Sequence, residues 1–202
     1  NALEYVAPPT GVAYKKTFDF KTNNASTLDV LWSDISSEIS YDDIAGVRLN
    51  IYELSSTGSS YLYVYGLNSS GSVLSSGYLG ATSNGEWGST QEHNSNNGFM
   101  KFPNLNSTFM ATGYSYGYGM TGSFNFVPWR EGSSEEYNKS GGCSYHMRWQ
   151  HSSNTYNFNE QGAWGVFSND TTPGPWEGGL RLYATSGTFN HGRVVVEVQM
   201  ED

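Results

Sequence analysis

This sequence has almost no cysteine, few charges and no long apolar run. Its single cysteine, Cys143, excludes an internal disulfide. Charged residues make up 14% of the chain and aromatic residues 15%, whereas disordered chains have many charges and few aromatics. No apolar segment approaches the ~18 residues of a membrane-spanning helix. The chain is therefore expected to fold around an apolar core, with Cys143 as a small buried residue.

Basic residues are scarce as well. Ten Lys and Arg face nineteen Asp and Glu, which gives a formal net charge of −9. Nucleic acids and anionic membranes both require a basic surface, so we expect neither as a partner. Neutral sugars remain open, because their binding does not depend on net charge.

Catalytic and metal-binding motifs are missing too. The sequence has no nucleophile elbow, no phosphate-binding loop and no Cys–His pairing. His146 and His151 are five residues apart on or near a predicted strand, while His93 and His191 stand alone. The sequence therefore predicts no catalytic residue, no cofactor and no metal site.

Alternation of apolar and polar residues is what the chain does have, and it predicts β-strands. In RVVVEVQM, Val194, Val196 and Val198 share one face, and in the hairpin before it Leu180 and Leu182 do the same. No segment predicts a helix. The predicted strands are 15–21, 28–35, 44–54, 60–66, 72–79, 107–116, 120–127, 143–150, 163–168, 178–184 and 192–200.

This many short strands favours an all-β fold, a single antiparallel β-sandwich of jelly-roll type. Residues 1–14 contain Pro8 and Pro9 and are predicted to form a short extended N-terminal arm. Residues 15–202 are predicted to form the β-sandwich domain.

Three tryptophans in polar, glycine-rich loops are the first candidate ligand-binding residues. Consecutive strands of such a fold alternate in direction. Counting the predicted strands along the chain therefore places loops 80–106, 128–142 and 169–177 at one end of the domain, away from the N-terminal arm. An indole there can either hold its loop to the domain or bind a ligand. The candidates in these loops are Trp87, His93, Trp129, Arg130 and Trp176.

Two tyrosine rows form a second candidate surface. A flat aromatic row can stack on sugar rings, can be buried against a neighbouring subunit, or can cover the outside of a sheet. Both rows are therefore candidate interfaces. They comprise Tyr61, Tyr63 and Tyr65 on one strand and Tyr114, Tyr116 and Tyr118 on another.

Two segments, 39–73 and 178–199, resemble a domain found in tailed-phage virion proteins such as tail fibres. Together they cover roughly a quarter of the chain. The final strand departs from the family pattern, since it has VVVEVQ where the family commonly ends in Leu-Tyr-Gly. The matching residues are Tyr41, Asp42, Val47, Leu49, Leu62, Val64, Leu180, Arg181, Leu182, Tyr183, Ser186, Gly187, Phe189, Gly192 and Val194.

The resemblance implies a virion location, other virion proteins as partners and a homo-oligomer, with a trimer favoured. The resulting hypothesis is a non-enzymatic phage appendage or accessory protein, such as a receptor-binding protein, that presents aromatic loops to a host-surface glycan.

Two alternatives stay open. One is a capsid decoration or assembly protein with a purely structural role. The other is a carbohydrate-binding module or a glycosidase, for which clustered loop carboxylates such as Glu131, Glu135 and Glu136 would be needed. The opening segment has no signal-peptide core, which argues against this last class, although a mature chain would lack one too.

Overall fold

A computed structural model provides the fold. It describes residues 13–19, 25–75, 78–84, 91–97, 99–102, 119–127, 142–150, 157–166 and 176–201. These residues form an all-β structure of two antiparallel sheets. The strands are β1 (Ala13–Asp19), β2 (Thr27–Leu31), β3 (Ile44–Ser56), β4 (Leu62–Leu67), β5 (Tyr78–Asn84), β6 (Gln91–Asn97), β7 (Met100–Phe102), β8 (Met120–Val127), β9 (Gly142–Gln150), β10 (Asn157–Val166), β11 (Gly179–Ala184) and β12 (Phe189–Met200).

The larger sheet has eight strands in the order β1-β12-β3-β8-β9-β10-β5-β6, and the smaller has four in the order β2-β11-β4-β7. One short helix, α1 (Trp32–Ile35), follows β2, and a 3-10 turn at Tyr41–Asp43 precedes β3. The predicted strand 28–35 therefore ends early, at Leu31, where the chain turns into α1.

Both sheets contribute their inward residues to one hydrophobic core. Val194, Val196 and Val198 of β12 are each 0% exposed, as are Leu180 and Leu182 of β11. They belong to the same cluster of buried side chains. The hairpin faces predicted from the sequence are confirmed, because period-two alternation places every second side chain on one side of a sheet.

The prediction of a loop over 80–106 is wrong. This segment contains most of β5 and all of β6 and β7. β6 has the sequence QEHNSNN, which offers neither alternation nor the β-branched and aromatic residues typical of strands. Its pairing with β5 supplies the backbone hydrogen bonds instead. The predicted strand 107–116 lies outside the described residues.

The strand directions in the large sheet overturn the expected grouping of the tryptophan loops. Neighbours in the large sheet are antiparallel, so β1 and β5 run one way while β8 and β10 run the other. The chain consequently leaves β5 at Asn84 at one end of the sheet, and leaves β8 at Val127 and β10 at Val166 at the opposite end. That second end is also where β1 begins, at Ala13. The three loops do not share an end, and the arm does not depart from the end opposite to all of them.

Candidate functional site

The outward side of the small sheet carries a continuous set of aromatic side chains, which we call the aromatic face. In β4 the buried Leu62 and Val64 alternate with partly exposed tyrosines, and in β11 Leu182 and Ala184 are buried on either side of one. Cross-strand pairing aligns Tyr63 of β4 with Tyr183 of β11 and with Lys101 of β7. The rings of the aromatic face are Tyr61, Tyr63, Tyr65, Phe99 and Tyr183.

Tyr63 lies at the centre of this face. Its ring stacks on Phe99, with centroids 3.8 Å apart and an angle of 8° between the planes. It also stacks on Tyr61 at 6.2 Å and meets Tyr65 and Tyr183 edge to face. Such contacts hold the rings of the aromatic face in defined orientations.

Charged groups border the rings on two sides. The ammonium of Lys101 lies 4.3 Å from the centroid of the Tyr61 ring, within range of a cation–π interaction. Across the sheet, Arg181 donates two hydrogen bonds of 2.6 Å to the carboxylate of Asp29. This hydrogen bonding raises the pKa of Arg181, and register pairing places Arg181 next to Tyr65.

The hydroxyls of Tyr63 and Tyr65 remain protonated at neutral pH. Partial burial, followed by the neighbouring tyrosines, raises the pKa of Tyr63 and of Tyr65 above the usual value of 10.0. Each hydroxyl can therefore donate as well as accept a hydrogen bond at neutral pH. The arrangement can offer apolar ring faces and neutral hydroxyls to one ligand.

Trp176 takes a structural position. Its side chain is 0% exposed, and it lies directly over Gly66, where a Cβ would overlap the indole. Its backbone carbonyl accepts a hydrogen bond from the Trp32 indole at 2.9 Å, and its backbone N–H donates to the Tyr41 hydroxyl at 3.2 Å. We therefore assign Trp176 to the core, where it holds the start of β11 against β4, rather than to a ligand site.

Most of the other candidates predicted from the sequence lie outside the described residues. These are Trp87, Trp129, Arg130, Tyr114, Tyr116 and Tyr118. His93 is described only as a backbone position in β6, opposite Ala81 of β5. Of the predicted surfaces, the Tyr61 row is the one that the described structure brings together.

Several residues of the aromatic face and of its charged border were not predicted as site residues. Tyr183 and Arg181 could have been recognised from the alternation in GLRLYA, since they occupy the polar phase of a strand whose other phase is apolar. Phe99 and Lys101 could not, because β7 is only three residues long and gives no readable pattern.

The core holds one polar pair that no sequence pattern connects. The Tyr145 hydroxyl donates a 2.6 Å hydrogen bond to Glu160, whose side chain is nearly fully buried. Burial, together with the charge of Glu160, raises the pKa of Tyr145 well above its ordinary value. This pair joins β9 to β10 inside the fold and is not accessible to a large ligand.

Within the described ranges, no group of three or more His, Cys, Asp and Glu side chains could hold a metal ion. In the same residues, no helix is long and apolar enough to cross a membrane. No protein-family model, curated protein or solved structure matches this chain.

Proposed function

We propose that this chain is a non-enzymatic virion protein of a tailed phage that binds a host-surface glycan through the aromatic face. The observation that carries the proposal is the aromatic face itself, five stacked and edge-on rings on the outer side of the small sheet. Sugar rings have an apolar C–H side that packs on aromatic rings, while their hydroxyls need hydrogen-bond partners. Lys101 and the Asp29–Arg181 pair supply such partners at its border.

The strand pairing supports a sandwich of jelly-roll type within this proposal. Eight strands pair as if one long hairpin had been wrapped on itself: β1 with β12, β2 with β11, β3 with β8 and β4 with β7. In this interpretation β5–β6 and β9–β10 are two hairpins inserted into the eight-stranded body, and both extend the large sheet.

Jelly rolls occur in viral capsid proteins and in lectins, so this topology suits both the virion location and glycan binding. The resemblance of segments 39–73 and 178–199 to phage appendage domains points the same way. The proposal includes attachment to other virion proteins and a homo-oligomer, with the trimer taken from that resemblance.

A binding assay on a printed array of bacterial surface polysaccharides tests the glycan proposal. We expect Tyr63→Ala to reduce retention of the protein by about tenfold or more, because a central aromatic contact contributes on the order of 1–3 kcal/mol. Tyr63→Phe, which keeps the ring, should retain most of the binding. The matched control is Val127→Ala, which truncates an exposed apolar side chain of the large sheet (52% exposed).

Equal retention of Tyr63→Ala and the parent, with both variants folded by circular dichroism, would contradict the glycan proposal. No retention of the parent on any polysaccharide would contradict it as well.

A structural subunit is the second candidate, and the same face favours it. Aromatic residues are enriched in protein interfaces, and five of them lie together here. If this candidate is correct, light scattering will show an oligomer that Tyr63→Ala dissociates, and the polysaccharide array will show no binding. A monomer at micromolar concentration would exclude a homo-oligomeric interface at the aromatic face.

A further inference from the structure

The central strand β3 contains a bulge at Glu53. On one side, Ile51 pairs with Gly122 and Leu54 with Met120, so the single residue between them on β8 faces two residues of β3. The register also shifts on the β12 side, between His191 and Arg193. Glu53 has φ = +52°, the only positive φ of a non-glycine residue in the described part of the chain. A residue with a Cβ pays a conformational cost there.

Neighbouring residues accommodate and stabilise this bulge. The Glu53 N–H donates a 3.1 Å hydrogen bond to the Thr121 hydroxyl. Gly192 has φ = +97°, and a Cβ on it would lie 2.6 Å from the Glu53 carbonyl oxygen. Gly119 is equally constrained by the Glu53 backbone. Bulges and strained residues that the surroundings enforce are frequent at binding sites, because they re-aim a side chain.

The bulge projects into a cleft of about 540 Å³ on the outer side of the large sheet. Glu53 lies 3.5 Å from the imidazole of His191, and the guanidinium of Arg193 lies 4.8 Å from the Tyr52 ring centroid. Asp19 of β1 is paired in register with Arg193. The cleft is lined by Asp19, Tyr52, Glu53, Thr121, Arg148, His191, Gly192 and Arg193.

Arg148 differs from the other basic residues that the structure describes. It is exposed on β9, and within the described ranges it is the one Lys or Arg side chain without a hydrogen bond, ion pair or ring contact. The others have partners: Lys15 with Glu197, Lys16 with Asp34, Arg48 with Asn125, Lys101 with Tyr61, Arg181 with Asp29 and Arg193 with Tyr52. In a chain of net charge −9, an unpaired guanidinium in a cleft is available for an anion.

We propose that this cleft is a second ligand site, which binds an acidic sugar through its carboxylate. Arg148 binds the carboxylate with its two parallel N–H groups, and the carboxylates of Glu53 and Asp19 accept hydrogen bonds from the sugar hydroxyls. Those same carboxylates repel a doubly charged phosphate more strongly than a singly charged carboxylate, and a neutral sugar leaves Arg148 unused. A ligand with one carboxylate for Arg148 and several hydroxyls for Glu53 and Asp19 therefore fits the cleft, as in a hexuronic acid.

Titration calorimetry with free glucuronate and galacturonate tests the site on the whole chain. The uncharged methyl ester of glucuronate and inorganic phosphate are the comparison probes. We expect saturable binding of at least one uronate, weaker binding of the ester, and a loss of about tenfold or more in Arg148→Gln, the scale of a charged hydrogen bond. Arg148→Lys should bind uronate with intermediate affinity, since it keeps the positive charge but not the two parallel N–H groups. Arg48→Gln is the control on the same sheet face, outside the cleft.

The bulge gives an independent test. Glu53→Gly removes the carboxylate and the strain together, so the variant should melt no lower than the parent and still bind uronate at least severalfold more weakly. The proposal is overturned if neither uronate binds at millimolar concentration, if Arg148→Gln binds like the parent, or if phosphate binds as well as the uronates. None of these variants touches the aromatic face, so failure here and failure of the polysaccharide assay with Tyr63→Ala are distinguishable.

Discussion

The outer faces of the two sheets follow the same alternation but carry opposite chemistry. On the small sheet the outward phase is aromatic, with Tyr63 and Tyr183 side by side. On the large sheet it is polar, with Lys15 paired to Glu197 and Arg48 bonded to Asn125. The core is filled by the inward-facing residues of both sheets, and the outward aromatics lie outside it. The two outer faces therefore offer different surfaces to their surroundings, aromatic on the small sheet and mostly polar on the large one.

The two faces also differ in how they depart from regular structure. The aromatic face lies on strands whose pairing is uninterrupted in β4 and β11. The large sheet has register shifts in β3 and β12, and it contains the strained Glu53. A flat face suits a broad partner such as a polysaccharide chain or a subunit, whereas a bulge creates a cleft sized for a small group.

The substitution with the largest expected effect should unfold both sheets together. Val196→Asp places a carboxylate at a position that is 0% exposed beneath the large sheet. Burying an unpaired charge costs several kcal/mol, so the variant should unfold, and both polysaccharide and uronate binding should disappear. Glu197→Gln, the adjacent and partly exposed position, is the control. Chemical denaturation checks both; a parent-like midpoint for Val196→Asp would mean that the sheets do not share one core.

Trp176→Ala should act on the small sheet more than on the large one. The substitution empties the volume over Gly66 and removes a fully buried indole, which costs about 3–5 kcal/mol. Hydrogen exchange should show greater loss of protection in β4 and β11 than in β3 and β12. An unchanged melting temperature would make Trp176 a ligand-binding candidate again.

Relief of strain should stabilise the large sheet. Glycine adopts the left-handed conformation of Glu53 without steric cost, so Glu53→Gly is expected to raise the free energy of unfolding by about 1 kcal/mol. Glu53→Ala removes the same carboxylate but keeps the Cβ, and should lie below the glycine variant. If alanine and glycine give equal denaturation midpoints, the backbone at this bulge is not strained.

The smallest effect concerns the border of the aromatic face. Asp29→Asn breaks the bidentate pair with Arg181, whose side chains are 37% and 29% exposed. Pairs at such positions contribute at most about 1 kcal/mol and are screened by salt. The difference in unfolding free energy between parent and variant should therefore shrink as salt is added. A difference that is independent of salt would assign the effect to packing instead.

Strong alternation made most of the fold predictable. The buried faces predicted for the hairpin from Leu180 to Val198 were correct, because the alternate positions that face the core are all apolar. β6 was missed because QEHNSNN has no alternation of apolar and polar residues. Its pairing with β5 depends on tertiary structure. The count of strand directions placed the tryptophan loops at one end, which is wrong, because β5 and β8 run in opposite directions in the large sheet.

The candidate sites were predictable in part. The row of Tyr61, Tyr63 and Tyr65 was identified from its spacing. Trp176 was misjudged, because a polar, glycine-rich neighbourhood does not reveal that Gly66 of another strand leaves room for an indole. The bulge at Glu53 left one legible sign, since Ile51 and Leu54 are both apolar but three residues apart. A period of two cannot bury both unless the strand contains an extra residue.

The pairing of β1 with β12 and of β2 with β11 has a consequence for biosynthesis. A nascent chain emerging from the ribosome exposes β1 and β2 long before their partners exist, so neither early strand can be sheltered by its native neighbour during translation. Such non-local pairing also slows folding after release. The large sheet therefore cannot be completed until β12 (Phe189–Met200) has been synthesised. Until then the early strands need protection from mispairing.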